Sequence, residues 1–172
     1  PAPVCASVPV RELFTDLQKL FPDETIHFEL PPSEKTLDVD RAQIEQVLIN
    51  LLKNAREASA RRETPKIEVK AVFAPKVISS LTAWRCTITV RDNGEGILPE
   101  VQDKIFVPFF TTKTAGSGIG LSLCKQIMNQ HGGNITVYSE PGKGVALLYN
   151  SVRWTLHLQK VVLSLLKNIN II

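Results

Sequence analysis

The residues best placed to do chemistry fall between Asp92 and Leu121. Asp92-Asn93-Gly94-Glu95-Gly96-Ile97 sets a carboxylate ahead of two alternating glycines, and Gly116-Ser117-Gly118-Ile119-Gly120-Leu121 repeats that spacing just before an apolar-periodic stretch. The chain holds nine glycines, none before residue 94 and five of them between Asp92 and Leu121. That concentrates permissive backbone in loops that grip a ligand more readily than in a packing solution. A carboxylate at a strand end can accept from a buried donor such as the exocyclic amino group of adenine, a charged hydrogen bond worth about 1.5–3 kcal/mol. Backbone N–H groups of a glycine loop opening a helix form a ready phosphate site. The second glycine cluster matches neither the Walker pattern nor the full dinucleotide fingerprint. Taken singly, each cluster is also compatible with an ordinary turn.

Two further groups accompany them. Gln43, Gln46, Asn50, Asn54 and Glu57 form a polar stripe beside an apolar helical face, with Asn50 and Asn54 one turn apart. Asparagine is a mediocre helix former, so two on one stripe cost stability unless their amides are satisfied. An asparagine carbonyl is a hard oxygen ligand, and magnesium on a nucleotide takes only one or two protein ligands. Pro108-Phe109-Phe110-Thr111-Thr112-Lys113 has an apolar anchor and a phosphate-friendly end, and its phenylalanines are expected in the core.

The elements that must position these groups are legible from periodicity. Residues 1–8 read as an extended linker, and Val10, Leu13, Phe14, Leu17, Leu20 and Phe21 as an amphipathic helix ended by Pro22. Thr25 to Leu30 alternates as a strand with His27 on its polar face. Asp40 is a natural N-cap for a helix running to about Ala60. Lys66 to Phe73 and Ala83 to Val90 read as neighbouring strands joined by a Pro75 to Ser80 loop, and Val101 to Val107 as a short helix or turn. A helix from Leu121 ends at His131-Gly132-Gly133, with His131 as a cap on the helix dipole. Asn134 to Ser139 and Val145 to Tyr149 form a hairpin. The domain so outlined covers 9–149, and 150–172 is a tail without a clean period.

Bulk properties narrow the class. At 172 residues, with 44% hydrophobic and 22% charged residues, the chain suits one globular domain. A net charge of +3 without a basic run interleaved with aromatics gives nucleic-acid binding little support. Three dispersed cysteines, Cys5, Cys86 and Cys124, lack metal-ligand spacing and fit a reducing cytoplasm. The apolar run Val161 to Leu166 is too short to cross a bilayer, so no membrane contact is expected of this stretch. The opening Pro1-Ala2-Pro3 reads as a cut in a linker, and hence as a piece of a longer protein.

The order of the motifs says more than any one of them. Asn50-Leu51-Leu52-Lys53-Asn54-Ala55, the Asp92 to Ile97 turn, Phe106 to Lys113 and Gly116 to Leu121 resemble the asparagine, first glycine, phenylalanine and second glycine boxes of sensor histidine kinases, most closely the nitrogen-regulator type. The resemblance covers about Val8 to Tyr149. It implies an α/β fold, a two-layer sandwich of the Bergerat ATP-binding type, with a mixed sheet and helices packed on one face. ATP would lie between the helices and a short lid at about Val107 to Ser117. Carried over position by position, Asn54 holds Mg2+, Asn50 is the catalytic-position residue contacting phosphates or the metal's water, and Asp92 takes the adenine amino group. Gly94, Gly96 and Ile97 line the base, while Gly116, Ser117, Gly118, Ile119, Gly120 and Leu121 cradle the phosphates. Phe106, Thr111, Thr112, Lys113 and Glu57 complete the nucleotide contacts, Glu57 standing where many relatives carry a lysine.

In gyrase, Hsp90 and mismatch-repair relatives a glutamate one turn before the metal asparagine activates water. Here that place is Asn50, which suits transfer to an already nucleophilic imidazole. His27, His131 and His157 lack a His-Glu/Asp motif, so the acceptor is expected on a dimerisation domain upstream, with a response regulator as indirect partner. An ATPase or serine kinase of the same fold, or a non-catalytic interaction module, are the other readings.

Overall fold

The computed structural model describes residues 2–31, 35–78, 81–112, 116–140 and 144–153. In chain order the elements are β1 (Ala6–Pro9), α1 (Val10–Leu20), β2 (Ile26–Glu29), β3 (Thr36–Val39), α2 (Arg41–Ser59), β4 (Ile67–Ile78), β5 (Leu81–Asp92), α3 (Pro99–Gln102), α4 (Gly120–Gln130), β6 (Asn134–Glu140) and β7 (Gly144–Arg153). Five strands form one sheet in the order β2-β4-β5-β7-β6, and β1 pairs with β3 in a separate ribbon. The β2–β4 pair is parallel and the rest of the sheet antiparallel. A parallel pair needs a crossover, and this one passes through β3 and α2, laying α2 across the sheet. The result is the expected mixed sheet with helices on one face.

The period-2 pattern decides which face is covered. Ile67 and Val69 of β4 and Cys86, Ile88 and Val90 of β5 are buried, while Lys70, Val72 and Arg91 on the other face are exposed. Against the buried side pack Leu13, Phe14 and Leu17 of α1, Ile44, Leu48, Leu51 and Leu52 of α2, and Cys124, Ile127 and Met128 of α4. Phe14 and Phe28 meet edge to face with centroids 5.7 Å apart.

Several expectations are corrected. The supposed linker contains β1, whose Val8 is 4% exposed and pairs opposite Leu37. Its partner β3 went unread because Leu37 and Val39 give only two inward positions, too few for a period to register. The Pro75 to Ser80 loop is mostly strand, β4 reaching Ile78 and β5 starting at Leu81. Pro75 is tolerated because β2 pairs β4 only from Ile67 to Lys70, leaving that part of β4 an edge. The tail expected from residue 150 begins inside β7, whose Asn150 pairs with Thr87. His157 and the remainder of that tail lie outside the described residues.

Candidate functional site

Helix α2 is the platform on which the site is built. Asp40 caps it as expected, its carboxylate accepting from the Gln43 N–H at 3.2 Å. Asp40 also accepts from the Val4 N–H at 3.0 Å. These bonds, the Val4 one first, hold its carboxyl below the ordinary carboxylate value. Along α2, Asn50, Asn54 and Ala58 recur every four residues and share one face, about 12 Å of helix axis from end to end.

The first glycine turn meets the far end of that stripe. Asp92 closes β5 opposite Ile67 and is 5% exposed. Its Oδ1 accepts from the Gly94 N–H at 2.7 Å. A Cβ on Gly94 would stand 2.6 Å from the Ala58 carbonyl oxygen, so only glycine admits this approach. Beyond the turn, Ile97 N–H donates to Ser139 Oγ at 2.8 Å, and Gln102 Nε2 donates to the carbonyls of Ile97 and Ser139.

The second glycine loop meets the near end. Gly120 opens α4, and a Cβ there would lie 4.0 Å from Asn50 Cγ. Among the described residues no side chain caps the N-terminus of α4, which opens on the glycine loop. Gly118, at φ +67°, lies against the backbone of Phe109, whose N–H donates to the Gly118 carbonyl at 2.9 Å. The Asn50 amide is oriented by its neighbours: Oδ1 accepts from Gln46 Nε2 at 3.2 Å, and Nδ2 donates to Cys124 Sγ at 3.7 Å. Burial pushes the Cys124 thiol up to about 11.

Thus Gly94, bonded to Asp92, and Gly120 approach the α2 stripe that carries Asn50 and Asn54; Gly96 and Ile97 follow in the first loop, Gly116, Ser117, Gly118 and Ile119 lie in the second, and Leu121 is in the first turn of α4. Glu57 is exposed on the helix between them. Phe106 is half-buried, with the Lys125 ammonium 5.1 Å from its ring centroid. Thr111 and Thr112 are exposed, and Lys113 lies outside the described residues. The expected core packing of the phenylalanines fails for Phe109, which is 76% exposed and held at φ 65° by its backbone contact with Gly118. Two open grooves of about 410 and 330 Å3 flank α4; Phe106 lines the first, and neither contains Asp92 or Asn54.

His131 stands at the C-cap of α4, as expected. Its ring is 2% exposed, Nδ1 donates to the Ile127 carbonyl at 2.8 Å and Nε2 accepts from the Asp40 N–H at 3.1 Å. It therefore satisfies a last-turn carbonyl of α4 and also tethers the end of α4 to the start of α2. Sequence reasoning also missed Ser139 and Gln102. The signal for Ser139 was a hydroxyl on the inward face of β6, in phase with Ile135 and Val137.

Residues 39–160 match the family model described as histidine kinase-, DNA gyrase B- and HSP90-like ATPase, and the chain belongs to that family. It is 40% identical over 119 residues to the sensor histidine kinase ZraS of Salmonella typhimurium, covering 69% of this chain and 24% of that protein. With NtrB of Vibrio alginolyticus, a sensory histidine kinase/phosphatase, it shares 33% identity over 128 residues, 72% of this chain and 36% of the relative. The solved catalytic domain of histidine kinase ThkA superposes with a TM-score of 0.70 at 32% identity, covering 86% of this chain and 95% of that one. ThkA has also been solved in complex with the response regulator TrrA, a structure with TM-score 0.66, 29% identity and coverage of 87% of this chain and 42% of that chain. The chain is thus the histidine-kinase type of catalytic ATPase domain, and spans about a quarter of the length of ZraS. No helix among the described residues is long and apolar enough to cross a membrane.

Proposed function

We propose that this domain binds ATP with magnesium and, joined to a histidine-bearing dimerisation domain, passes the γ-phosphoryl group to that histidine. The observation that supports this most is the approach of both glycine loops to one stripe of α2, Gly94 at Ala58 and Gly120 at Asn50. The base would lie at the Asp92 end, its amino group donating to the buried carboxylate, and the phosphates at the uncapped start of α4. Among the described residues no cluster of His, Cys, Asp or Glu could hold a metal. The available donors are amide oxygens, of which Asn54 is the one assigned, and these suit a hard cation that takes its other ligands from phosphate and water. Bound there, magnesium would neutralise charge on the transferred phosphoryl group.

In the transfer the γ-phosphorus–oxygen bond to ADP breaks as a bond to the imidazole nitrogen forms, and the imidazole proton leaves to solvent. Asn50 carries no proton-accepting carboxylate, so the chain offers no base at that position for a water nucleophile. Asn50 instead presents an amide oriented by Gln46 and Cys124. Phosphate would pass from the histidine to a response regulator, a partner class supported by the ThkA–TrrA complex, and the setting would be cytoplasmic.

The test adds labelled Mg-ATP and a separately made histidine-bearing domain to this chain. Acid-labile, base-stable phosphate on that domain is expected. Steady phosphate release by the chain alone supports an ATPase instead, and absence of nucleotide binding leaves only an interaction module.

A further inference from the structure

Arg62, three residues past the end of α2, holds the turn that follows Asp92. Its Nε donates to the Asn93 carbonyl at 2.7 Å and a terminal nitrogen donates to the Gly94 carbonyl at 2.7 Å. The Asn93 side chain secures the same turn from its other flank, accepting from the Lys66 N–H at 2.9 Å and donating to the Thr64 carbonyl at 2.8 Å. The Asn93 carbonyl and the Gly94 N–H belong to one planar peptide unit. Arg62 therefore grips the oxygen end of the unit whose nitrogen end donates to Asp92 Oδ1 at 2.7 Å. A guanidinium fork spanning consecutive carbonyls fixes both peptide planes, which an ammonium on a flexible stem cannot do.

We propose that Arg62 is a positioning residue for base recognition, setting the Asp92 carboxylate through the Asn93–Gly94 peptide so that it meets an exocyclic amino donor. The inference rests on the nucleotide reading of the site. It is specific to one end of the ligand: the phosphates, at the far end of the α2 stripe, gain nothing from Arg62.

Calorimetry with Mg-ATP, Mg-GTP and Mg-tripolyphosphate on the full chain tests it. Arg62→Met keeps the aliphatic stem and should weaken ATP binding about tenfold, the low end of a charged hydrogen bond lost at Asp92, while tripolyphosphate affinity stays within about twofold. The preference for ATP over GTP should narrow by a similar factor. Arg62→Lys, which can hold one carbonyl, should recover part of the loss, and it carries the same comparison should Arg62→Met not fold by circular dichroism. Unchanged ATP affinity in the folded variants, or equal losses for ATP and tripolyphosphate, overturns the role. A wild-type chain without ATP affinity overturns the nucleotide reading itself.

Discussion

Gly94→Ala isolates the closeness on which the site depends. Gly94 has no positive φ to relieve, so its constraint is spatial: the added methyl would sit 2.6 Å from the Ala58 carbonyl oxygen, where ordinary contact begins at 3.4 Å. The Ala58 carbonyl belongs to the last turn of α2 and is anchored by the buried Ala55 and Ser59 beside it, so the glycine turn must retreat, by about 0.8 Å if it takes the whole mismatch. The same methyl would stand 2.7 Å from Asp92 Oδ1, so the carboxylate that the Gly94 N–H now holds at 2.7 Å must be displaced as well. Overpacking should cost about 1–3 kcal/mol of stability, and loss of the Asp92 orientation about 10- to 150-fold in ATP affinity. Gly132→Ala is the matched control. Nothing lies within 4 Å of its would-be Cβ, but its φ of +68° is strained for alanine. It should lower Tm by about 2–8 °C, from a backbone cost of about 1–2 kcal/mol, and leave ATP affinity alone. Differential scanning calorimetry and titration calorimetry read the two effects separately. Wild-type ATP affinity and melting in Gly94→Ala would refute the claim that this contact holds the base end of the site.

Asp92→Ala should weaken adenine-nucleotide binding about 10- to 150-fold by calorimetry, and unchanged affinity removes Asp92 from the site. Asn54→Ala should abolish the magnesium dependence of ATP binding; a titration still sensitive to magnesium excludes that ligand. Burial pushes Cys86 up to about 12 and Cys124 up to about 11, and both are buried while Cys5 is partly exposed. Iodoacetamide on the native chain at about pH 8 should therefore modify Cys5 alone by mass spectrometry, with the other two reacting after denaturation. Asp40 has its carboxyl lowered from 3.8, so its stabilisation is complete above that value and is lost as pH falls through the lower folded value. Asp40→Asn should flatten the acid limb of the Tm–pH curve below about pH 4, and an unaltered limb argues against the linkage.

The long helices and central strands were legible because burial imposes a period that many residues repeat. Asp40 and the apolar face of α2 announced that helix, and Ile67, Val69, Cys86 and Ile88 announced β4 and β5. β1 and β3 escaped because each is short and makes sense only against the other, Val8 facing Leu37. Arg62, Ser139 and Gln102 escaped for a related reason: they act on backbone atoms of the glycine turn, and backbone donors and acceptors leave no trace in side-chain identity.

What the order of residues determined by itself was the inventory: amides at helical spacing, a carboxylate before alternating glycines, and a glycine loop before a helix, which together place the chain in its ATPase family. Tertiary structure decided which of these touch. Gly94 reaches Ala58 and Gly120 approaches Asn50 only because the β2–β4 crossover lays α2 across the sheet between the two loops. Local sequence sets local conformation and period, whereas contacts between segments dozens of residues apart depend on how the layers close over a shared core.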